Sequence, residues 1–162
     1  MNIVYPAKEE LPLLAPLCAA FRAALRAFKG GDETPDIEAA AGELSWHAEE
    51  GRPVYAVKEG GRFIGYAILR IDDGIVWLEQ IFVEEASRRK GAATLLFEEA
   101  ERVAAGYGEP TVYNYVHPNN LGMISFLRSR GYNVLNLIEI RKPYPGEALS
   151  AVIRVGESEF DY

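Results

Sequence analysis

Apolar residues recur at helical spacing in two stretches of the N-terminal part of the chain. The first predicts an amphipathic helix from about Leu13 to the Gly30-Gly31 pair, through Leu14, Leu17, Phe21, Leu25 and Phe28. The second predicts a helix that starts at Thr34-Pro35-Asp36, where a capping residue and a proline suit a helix start. It ends at Gly51 and runs through Ile37, Ala41, Leu44 and Ala48. Asn2–Tyr5, ahead of both, predicts a short strand.

After Gly51 the pattern changes to short apolar runs, which are typical of strands. Turn residues separate the runs, and Asp72-Asp73-Gly74 in particular indicates a hairpin. Helical spacing then returns from Gly91 to Ala104 and again from Asn120 to Arg130. The predicted strands of this part are Val54–Val57, Phe63–Ile71, Ile75–Val83, Thr111–Val116, Val134–Ile140 and Ala151–Val155.

The order of these elements is strand, two helices, three strands, helix, strand, helix and two strands. A hairpin meander within a mixed order favours a mixed α/β (α+β) fold over a fully alternating doubly wound sheet. The chain has 162 residues and neither repeats nor long linkers, so we expect one domain over residues 1–162.

Composition narrows the classes of partner and compartment. The formal net charge is -7, which argues against a nucleic-acid partner because phosphate backbones need clustered Lys and Arg. The single cysteine, Cys18, excludes an internal disulfide and fits a reducing compartment. The N-terminus lacks the pattern of a signal peptide, and no apolar run is long enough to span a bilayer. We therefore expect a cytoplasmic protein with no membrane partner.

One basic loop stands between a predicted strand and a predicted helix. The strand ends near Val83, and Arg88-Arg89-Lys90 leads into a helix that starts at about Gly91. Backbone N–H groups at a helix start lack intrahelical partners and carry the positive end of the dipole, which suits phosphate. A solvated basic loop ahead of an ordinary helix explains the same residues. No G-x-x-x-x-G-K-[ST] motif occurs, and no G-x-G-x-x-G follows a strand, so the common nucleotide-binding loops are excluded.

The segment Arg88-Arg89-Lys90-Gly91-Ala92-Ala93 resembles the R-x-x-G-x-[GA] signature of the GNAT acetyltransferase superfamily. The segment from Asn120 to Tyr132 is similar to the N-x-x-A-x-x-x-Y-x-x-x-G-[FY] helix of the same family. The resemblance is densest from Glu79 to Tyr132 and thin before Val54. It implies a central, mostly antiparallel twisted sheet of about seven strands with about four flanking helices, splayed between the fourth and fifth strands.

The resemblance also implies acetyl-coenzyme A as the cosubstrate and an amine as the acceptor. The pantetheine arm would lie in the split of the sheet, near the backbone of Ile81, Phe82 and Val83. The pyrophosphate would rest on the loop formed by Arg88, Arg89, Lys90, Gly91, Ala92 and Ala93. Asn120 would cap the last helix and contact the arm, although capping alone explains it without a function. Phe126 and Arg130 would touch the arm or the adenine side. Packing and solvation explain those last two residues equally well.

Glu79 is the first candidate for a catalytic base, because an amine must lose a proton before it attacks a thioester. Leu78-Glu79-Gln80-Ile81-Phe82-Val83 resembles the strand of polyamine acetyltransferases that carries the proposed base. A salt-bridged structural glutamate is the alternative. The family's usual proton donor, a tyrosine, is replaced here by Leu127. Tyr115 or Tyr132 is a substitute, although either also suits a packed aromatic position.

Other candidate chemistry is sparse. His47 and His117 stand apart in sequence and no Cys/His cluster has metal-ligand spacing, so we expect no metal. Cys18 falls on or near the apolar stripe of the first helix and reads as core. Four acidic residues around the start of the second predicted helix suit either a cationic acceptor or an ordinary helix start: Asp32, Glu33, Asp36 and Glu38.

The sequence therefore predicts an N-acetyltransferase that uses acetyl-coenzyme A and a primary amine, from a polyamine-like molecule or a protein, in a ternary complex. The first alternative is a non-catalytic acyl-coenzyme A sensor on the same fold, which Leu127 favours. A GNAT-like interaction domain without coenzyme is a further alternative, against which the Arg88–Ala93 loop argues. The strand in Ala148–Tyr162 also allows pairing in a homodimer.

Overall fold

The computed structural model describes residues 1–162 and divides them into two compact units, Met1–Phe126 and Leu127–Tyr162. The first unit holds a five-stranded sheet with helices, and the second holds a two-stranded hairpin. Compact units of this kind do not test whether the chain folds as one domain, so that expectation stays a prediction. No helix combines the length and the apolar composition that crossing a bilayer requires.

The sheet of the first unit follows chain order, β1-β2-β3-β4-β5. The first four strands pair antiparallel, and β5 pairs parallel to β4. Asp73 and Gly74 have φ of 49° and 78°, which supplies the left-handed turn that the hairpin between β3 and β4 needs. The strands are β1 Asn2–Val4, β2 Val54–Glu59, β3 Arg62–Asp72, β4 Ile75–Val83 and β5 Val112–Asn114.

Four α-helices accompany the strands, with local sequence signals at several ends. The Asp36 side chain accepts a hydrogen bond from the Ala39 N–H at 2.9 Å, and Asn120 Oδ1 accepts one from the Met123 N–H at 3.1 Å. Both contacts satisfy backbone donors that a helix start leaves open. Short 3-10 helices at Lys8–Leu14 and Glu85–Ser87 precede the first and third α-helices. The α-helices are α1 Ala15–Ala27, α2 Ile37–Glu49, α3 Ala92–Ala105 and α4 Leu121–Ser129, the last of which crosses the boundary between the units.

The core of the first unit forms where helices cover the sheet. Leu14 and Cys18 from the first helical region and Leu44 of α2 pack with Tyr66 and Ile68 of β3, all of them almost fully buried. The helix α3 packs against β2, β3 and β4 and contributes the buried Leu96 and Phe97. Burial of these large apolar side chains is the main stabilising term for this unit.

The predicted mixed α/β fold with a mostly antiparallel sheet and four helices is confirmed, and the strand count needs correction. The central sheet has five strands, because the last two strands, β6 Val152–Val155 and β7 Ser158–Asp161, pair only with each other. The predicted strand Val134–Ile140 is wrong, since these residues form no ladder in the structure. Val134 is 89% exposed. A strand requires a neighbouring backbone to pair with, and this apolar run has no such partner.

Candidate functional site

The pairing of β4 with β5 stops partway along β4. Only Val76–Leu78 pairs with Val112–Asn114, so Glu79–Val83 has β3 on one side and no strand on the other. Asn114 stands at the last paired position, opposite Leu78, and its buried Oδ1 has no hydrogen-bond partner in the protein. A buried acceptor without a partner is costly and suits a donor from a bound molecule.

The loop after β4 leads directly into α3. Arg89 and Gly91 adopt left-handed backbone conformations, with φ of 63° and 93°. A Cβ added at Gly91 would meet no atom within 4 Å, so the backbone conformation is the reason for glycine there. The first hydrogen bond of α3 runs from the Leu95 N–H to the Gly91 carbonyl at 3.0 Å.

That geometry leaves the amides of Ala92, Ala93 and Thr94 without intrahelical acceptors. Neither a side-chain cap nor an acidic residue in the first turn of α3 occupies them. These N–H groups and the helix dipole therefore suit an anion at the end of the loop. The residues Arg88 to Ala93 thus fit a coenzyme pyrophosphate.

The three cations of the loop have different surroundings. Arg88 donates from Nε to the Val83 carbonyl at 3.0 Å, and its guanidinium lies 5.5 Å from the centre of the Phe82 ring. This contact ties the loop to the end of β4. Arg89 and Lys90 are exposed. Arg88 therefore has a clear structural role in this loop, whereas the other two side chains extend into solvent.

Glu84 fixes the start of the same loop. Its carboxylate pairs with Arg62 of β3, and Ser87 Oγ donates to it at 2.6 Å. Arg62 and the Ser87 hydroxyl lower the pKa of Glu84 to about 2, so the group is ionised at neutral pH. Consequently the loop is fastened to the sheet on both sides of the short Glu85–Ser87 turn.

Glu79 lies in a β-bulge and in two ion pairs. Gln80 pairs with Ile68 and Leu78 pairs with Leu69, which leaves Glu79 as the extra residue of β4. Its carboxylate accepts a hydrogen bond from Arg70 Nε at 2.6 Å and lies 3.7 Å from Arg52 Nη1. The side chain is 24% exposed. The carboxylate is therefore reachable by solvent and also held by two guanidinium groups.

The candidate tyrosines are not equivalent. Tyr115 is 67% exposed, and its ring stacks on Trp77 of β4 with centroids 4.9 Å apart. The Arg70 guanidinium carbon lies 5.1 Å from the centre of the Trp77 ring, and Arg70 also contacts Glu79. Tyr115 and Glu79 are thus linked through Trp77 and Arg70 on the sheet. Tyr132 follows α4 in the second unit, where its N–H donates to the Leu127 carbonyl at 3.1 Å.

The remaining predicted coenzyme residues fall on α4 and the segment after it. Asn120 caps the helix, as its sequence position suggests. Phe126 packs edge-on against Phe97 of α3, with centroids 5.4 Å apart. Arg130 follows the end of α4, and its N–H donates to the Leu127 carbonyl at 3.0 Å. Leu127, at the position of the family's tyrosine, is buried at 7% exposure.

A buried polar network beside Glu79 was missed by the sequence analysis. Gln80 is 2% exposed and accepts a hydrogen bond from the Tyr66 hydroxyl at 2.6 Å. Its amide nitrogen lies 2.5 Å from Glu43 Oε1 and 3.1 Å from His47 Nε2. Glu43 is also paired with Arg22 of α1. This network joins α1 and α2 to β4 next to the bulge.

His47 is held neutral within that network. Burial, together with Arg52 nearby, lowers the pKa of His47 to about 4. Arg52 Nη1 lies 3.2 Å from His47 Nδ1, and guanidinium groups only donate, so Nδ1 acts as the acceptor. Glu43 and His47 are four residues apart, and this i,i+4 spacing around the apolar Leu44 was the sequence signal for the network.

Cys18 belongs to the core, as its sequence position suggests. It is fully buried, its sulfur lies 3.7 Å from Gln80 Oε1, and burial raises the pKa of the thiol. No group of three or more His, Cys, Asp and Glu side chains is arranged to hold a metal ion.

The half-paired strand β4, the start of α3 with its open amides and the nearby Glu79 carboxylate form an arrangement that suits a large phosphorylated ligand. The sequence pattern of the acetyltransferase (GNAT) family matches residues 18–132. The match covers more than half of the chain, and the protein therefore belongs to the acetyltransferase (GNAT) family.

Solved structures agree with this fold. The apo aminoglycoside antibiotic 6'-N-acetyltransferase AAC(6')-Ig from Acinetobacter haemolyticus matches with a TM-score of 0.66 at 19% identity, over 89% of this chain and 99% of its own. AAC(6')-Iy in complex with the bisubstrate analogue CoA-S-monomethyl-acetylneamine matches with a TM-score of 0.65 at 21% identity, over 88% and 98%. The ribosomal-protein-S18-alanine N-acetyltransferase from Escherichia coli matches with a TM-score of 0.64 at 18% identity, over 80% and 76%. No curated protein sequence matches significantly.

Proposed function

We propose that this protein transfers an acetyl group from acetyl-coenzyme A to a primary amine in a ternary complex. The observation that carries the proposal is the open N-terminus of α3, where no cap or acidic residue occupies the amides that follow Gly91. Phosphate oxygens are the ligands that such a helix start favours. The basic loop Arg88–Lys90 adds positive charge at the same place in a chain of net charge -7.

The coenzyme would be held by the residues named from the sequence. The pyrophosphate binds Arg89, Lys90, Gly91, Ala92 and Ala93, with Arg88 fastening the loop to β4. Backbone groups of Ile81, Phe82 and Val83 bind the pantetheine arm along the edge of β4 that lacks a partner strand. Asn114 Oδ1, which has no partner in the protein, accepts a hydrogen bond from a donor of the bound ligand. Asn120, Phe126 and Arg130 contact the arm or the adenine side.

Acetyl-coenzyme A supplies a thioester whose carbonyl an uncharged amine can attack. Glu79 takes the proton that the amine must lose, directly or through an ordered water. It lies in the bulge of β4, and Arg70 and Arg52 hold the orientation of its carboxylate. Tyr115 is the candidate donor of a proton to the departing thiolate. Thiols have a pKa of about 8.5, so departure does not depend on a strong acid.

The acceptor is a primary amine of a polyamine-like small molecule or of a protein. The solved structures of similar fold include acetyltransferases of aminoglycosides and of a ribosomal protein, so the fold is compatible with either kind. We further propose a cytoplasmic protein without nucleic-acid or membrane partners. A homodimer through the C-terminal strands is part of the same proposal.

An acyl-coenzyme A sensor without catalysis is the second candidate function. Leu127 favours it, because leucine cannot donate a proton at the position of the family's tyrosine. A sensor binds the coenzyme but acetylates no amine. Coenzyme binding and turnover therefore have to be measured separately.

The first experiment is a thermal melt with and without acetyl-coenzyme A. Ligand at about 100 times its dissociation constant adds ~2.7 kcal/mol to the free energy of unfolding. For a chain of this size the expected rise in Tm is roughly 5–10 °C. No rise at saturating ligand contradicts the proposed coenzyme site. A rise together with turnover of an amine panel supports the enzyme, and a rise without turnover supports the sensor.

A matched pair of glycine variants localises the binding. Gly91→Ala and Gly61→Ala both place a Cβ on a left-handed backbone, with φ of 93° and 79°, and both face open space. Each should lose about 1 kcal/mol of stability from backbone strain alone. Only Gly91→Ala should also lose the rise in Tm given by acetyl-coenzyme A. Equal ligand responses in the two variants would mean that the start of α3 is not the binding site.

A further inference from the structure

A cleft of about 320 Å³ lies between the C-terminal half of α1 and the loop after β5. Its walls come from two separate parts of the first unit and are joined by specific contacts. The Phe28 ring stacks on His117 with centroids 5.5 Å apart, and Asn119 Nδ2 donates to the Phe28 carbonyl at 3.0 Å. The lining residues are Arg22, Leu25, Arg26, Lys29 and His117.

The polar side chains of this cleft are hydrogen-bond donors. Arg22, Arg26 and Lys29 are cationic and have no acceptor atoms. The Asn119 N–H donates to His117 Nδ1 at 3.2 Å, so the neutral ring carries its proton on Nε2. Burial and the neighbouring Lys29 lower the pKa of His117, which keeps the ring neutral at physiological pH. No carboxylate is among the lining residues.

The three cations are compensated to different degrees. Arg22 pairs with Glu43, although its side chain is still 42% exposed. Arg26 donates to the carbonyl oxygens of Asp32 and Thr34 at 2.7 and 2.6 Å. Those contacts fix the guanidinium without cancelling its charge, and the nearby Asp32 carboxylate bonds to Thr34. Lys29 has no carboxylate partner.

The cleft adjoins the region where we place the acetyl transfer. Arg22 pairs with Glu43, which contacts Gln80 of β4, the neighbour of Glu79. The preceding residue of α1, Phe21, packs edge-on against Phe82 of the same strand at 6.4 Å. The cleft is thus connected through direct contacts to the unpaired half of β4.

We propose that this cleft binds an anionic oxyacid group of the acceptor, so that the substrate is a primary amine that also carries a carboxylate or a phosphate. This inference rests on the proposed acetyl transfer and narrows its acceptor. A set of donors with one uncompensated cation matches an acceptor-only anion, and hydrogen bonds between charged groups are the stronger ones. A plain polyamine offers only cations to this cleft and would be repelled by Lys29.

The test compares matched amines that differ in the acid group. The pairs are β-alanine against its amide and phosphoethanolamine against ethanolamine, each with saturating acetyl-coenzyme A. Higher kcat/KM for one acidic member identifies carboxylate or phosphate as the group that is bound. Equal or lower values for both acidic members overturn the inference.

The variant Lys29→Gln and its control Lys8→Gln assign the preference to the cleft. Both lysines lie outside the predicted coenzyme loop, and Lys8 is an exposed residue of the N-terminal 3-10 helix. Lys29→Gln should raise KM for the acidic amine about tenfold, with kcat and the KM of the uncharged partner unchanged. Lys8→Gln should leave all of these values unchanged. An unchanged KM in Lys29→Gln overturns the assignment.

Two further outcomes have defined meanings. If Lys29→Gln raises KM for acetyl-coenzyme A but not for acetyl-dephospho-coenzyme A, the cleft holds the coenzyme's 3'-phosphate and the inference is wrong. If the wild type acetylates no amine, the proposed function fails, and melts with glutarate and with inorganic phosphate then test the cleft alone. A rise in Tm that Lys29→Gln abolishes supports the anion site, and no rise with either anion overturns it.

Discussion

Replacement of Glu79 by glutamine separates catalysis from structure most directly. The substitution keeps the size and shape of the side chain but removes the charge. Glu79 lies 2.6 Å from Arg70 Nε and 3.7 Å from Arg52 Nη1, with 24% of its side chain exposed. Glutamine can still accept a hydrogen bond from Arg70, so the bulge in β4 should persist.

The expected magnitudes differ for the two roles. Loss of a general base lowers turnover by about 10²–10⁴. Loss of two partly exposed ion pairs lowers the free energy of unfolding by about 1–2 kcal/mol, because solvent screens pairs of this kind. That decrease corresponds to a fall in Tm of roughly 3–6 °C for a chain of this size. The affinity for acetyl-coenzyme A should not change, since Glu79 lies outside the loop that we propose to hold the pyrophosphate.

The assay measures kcat, Tm and the dissociation constant of acetyl-coenzyme A for Glu79→Gln and for Arg70→Gln. Arg70→Gln removes an ion pair of Glu79 and the pair with Asp72 but leaves the carboxylate of Glu79 in place. It should destabilise at least as much as Glu79→Gln and retain most of the turnover. If Glu79→Gln keeps full turnover, Glu79 is not the base. If both variants lose the same large factor, the ion pair and not the carboxylate is what the reaction needs.

Two further predictions concern stability. His47 has its pKa lowered to about 4 by burial and by Arg52, whereas the unfolded chain titrates near 6.5, so the unfolded state binds more protons between these values. The free energy of unfolding should therefore fall by up to about 3 kcal/mol as pH drops from 6.5 to 4, and urea titrations of His47→Asn should lack this part of the decline. Gly65→Ala places a Cβ 2.8 Å from the Phe82 carbonyl oxygen and 3.0 Å from Val83 Cγ2, so the backbone of β3 or β4 must shift. Urea unfolding should show a loss of about 1–3 kcal/mol in the free energy of unfolding. An unchanged midpoint would mean that β3 and β4 accommodate the added Cβ without loss of stability.

Local chemistry explains the elements that the sequence predicted well. Asp36 and Asn120 cap α2 and α4, since a side-chain oxygen at that position reaches an open N–H within the same turn. Gly91 starts α3 because a left-handed residue is needed between the basic loop and the helix. The two caps join residues three positions apart, and the glycine conformation is a property of one residue. A short motif in the sequence is therefore enough to predict each of these features.

The strand predictions show the limit of such reasoning. Val134–Ile140 is as apolar as the runs that became β2 and β3, yet it forms no ladder. β7, at Ser158–Asp161, is polar and was missed, although its backbone pairs fully with β6. A strand depends on a neighbouring backbone, and that neighbour is not encoded in the run itself.

The candidate site also combines features that lie within one short segment with contacts between segments far apart in the sequence. By itself the sequence determined the family resemblance, the basic loop from Arg88 to Ala93 that leads into a helix, and the presence of a carboxylate at Glu79, because each lies within one short segment. Only the tertiary structure decided what surrounds that carboxylate and brought Lys29 together with His117 in one donor-lined cleft. Gln80 of β4 likewise meets Glu43 and His47 of α2 only through side-chain contacts in the folded chain. Electrostatic and hydrogen-bond partners are set by distance in space, and chain folding alone fixes that distance for residues far apart in sequence.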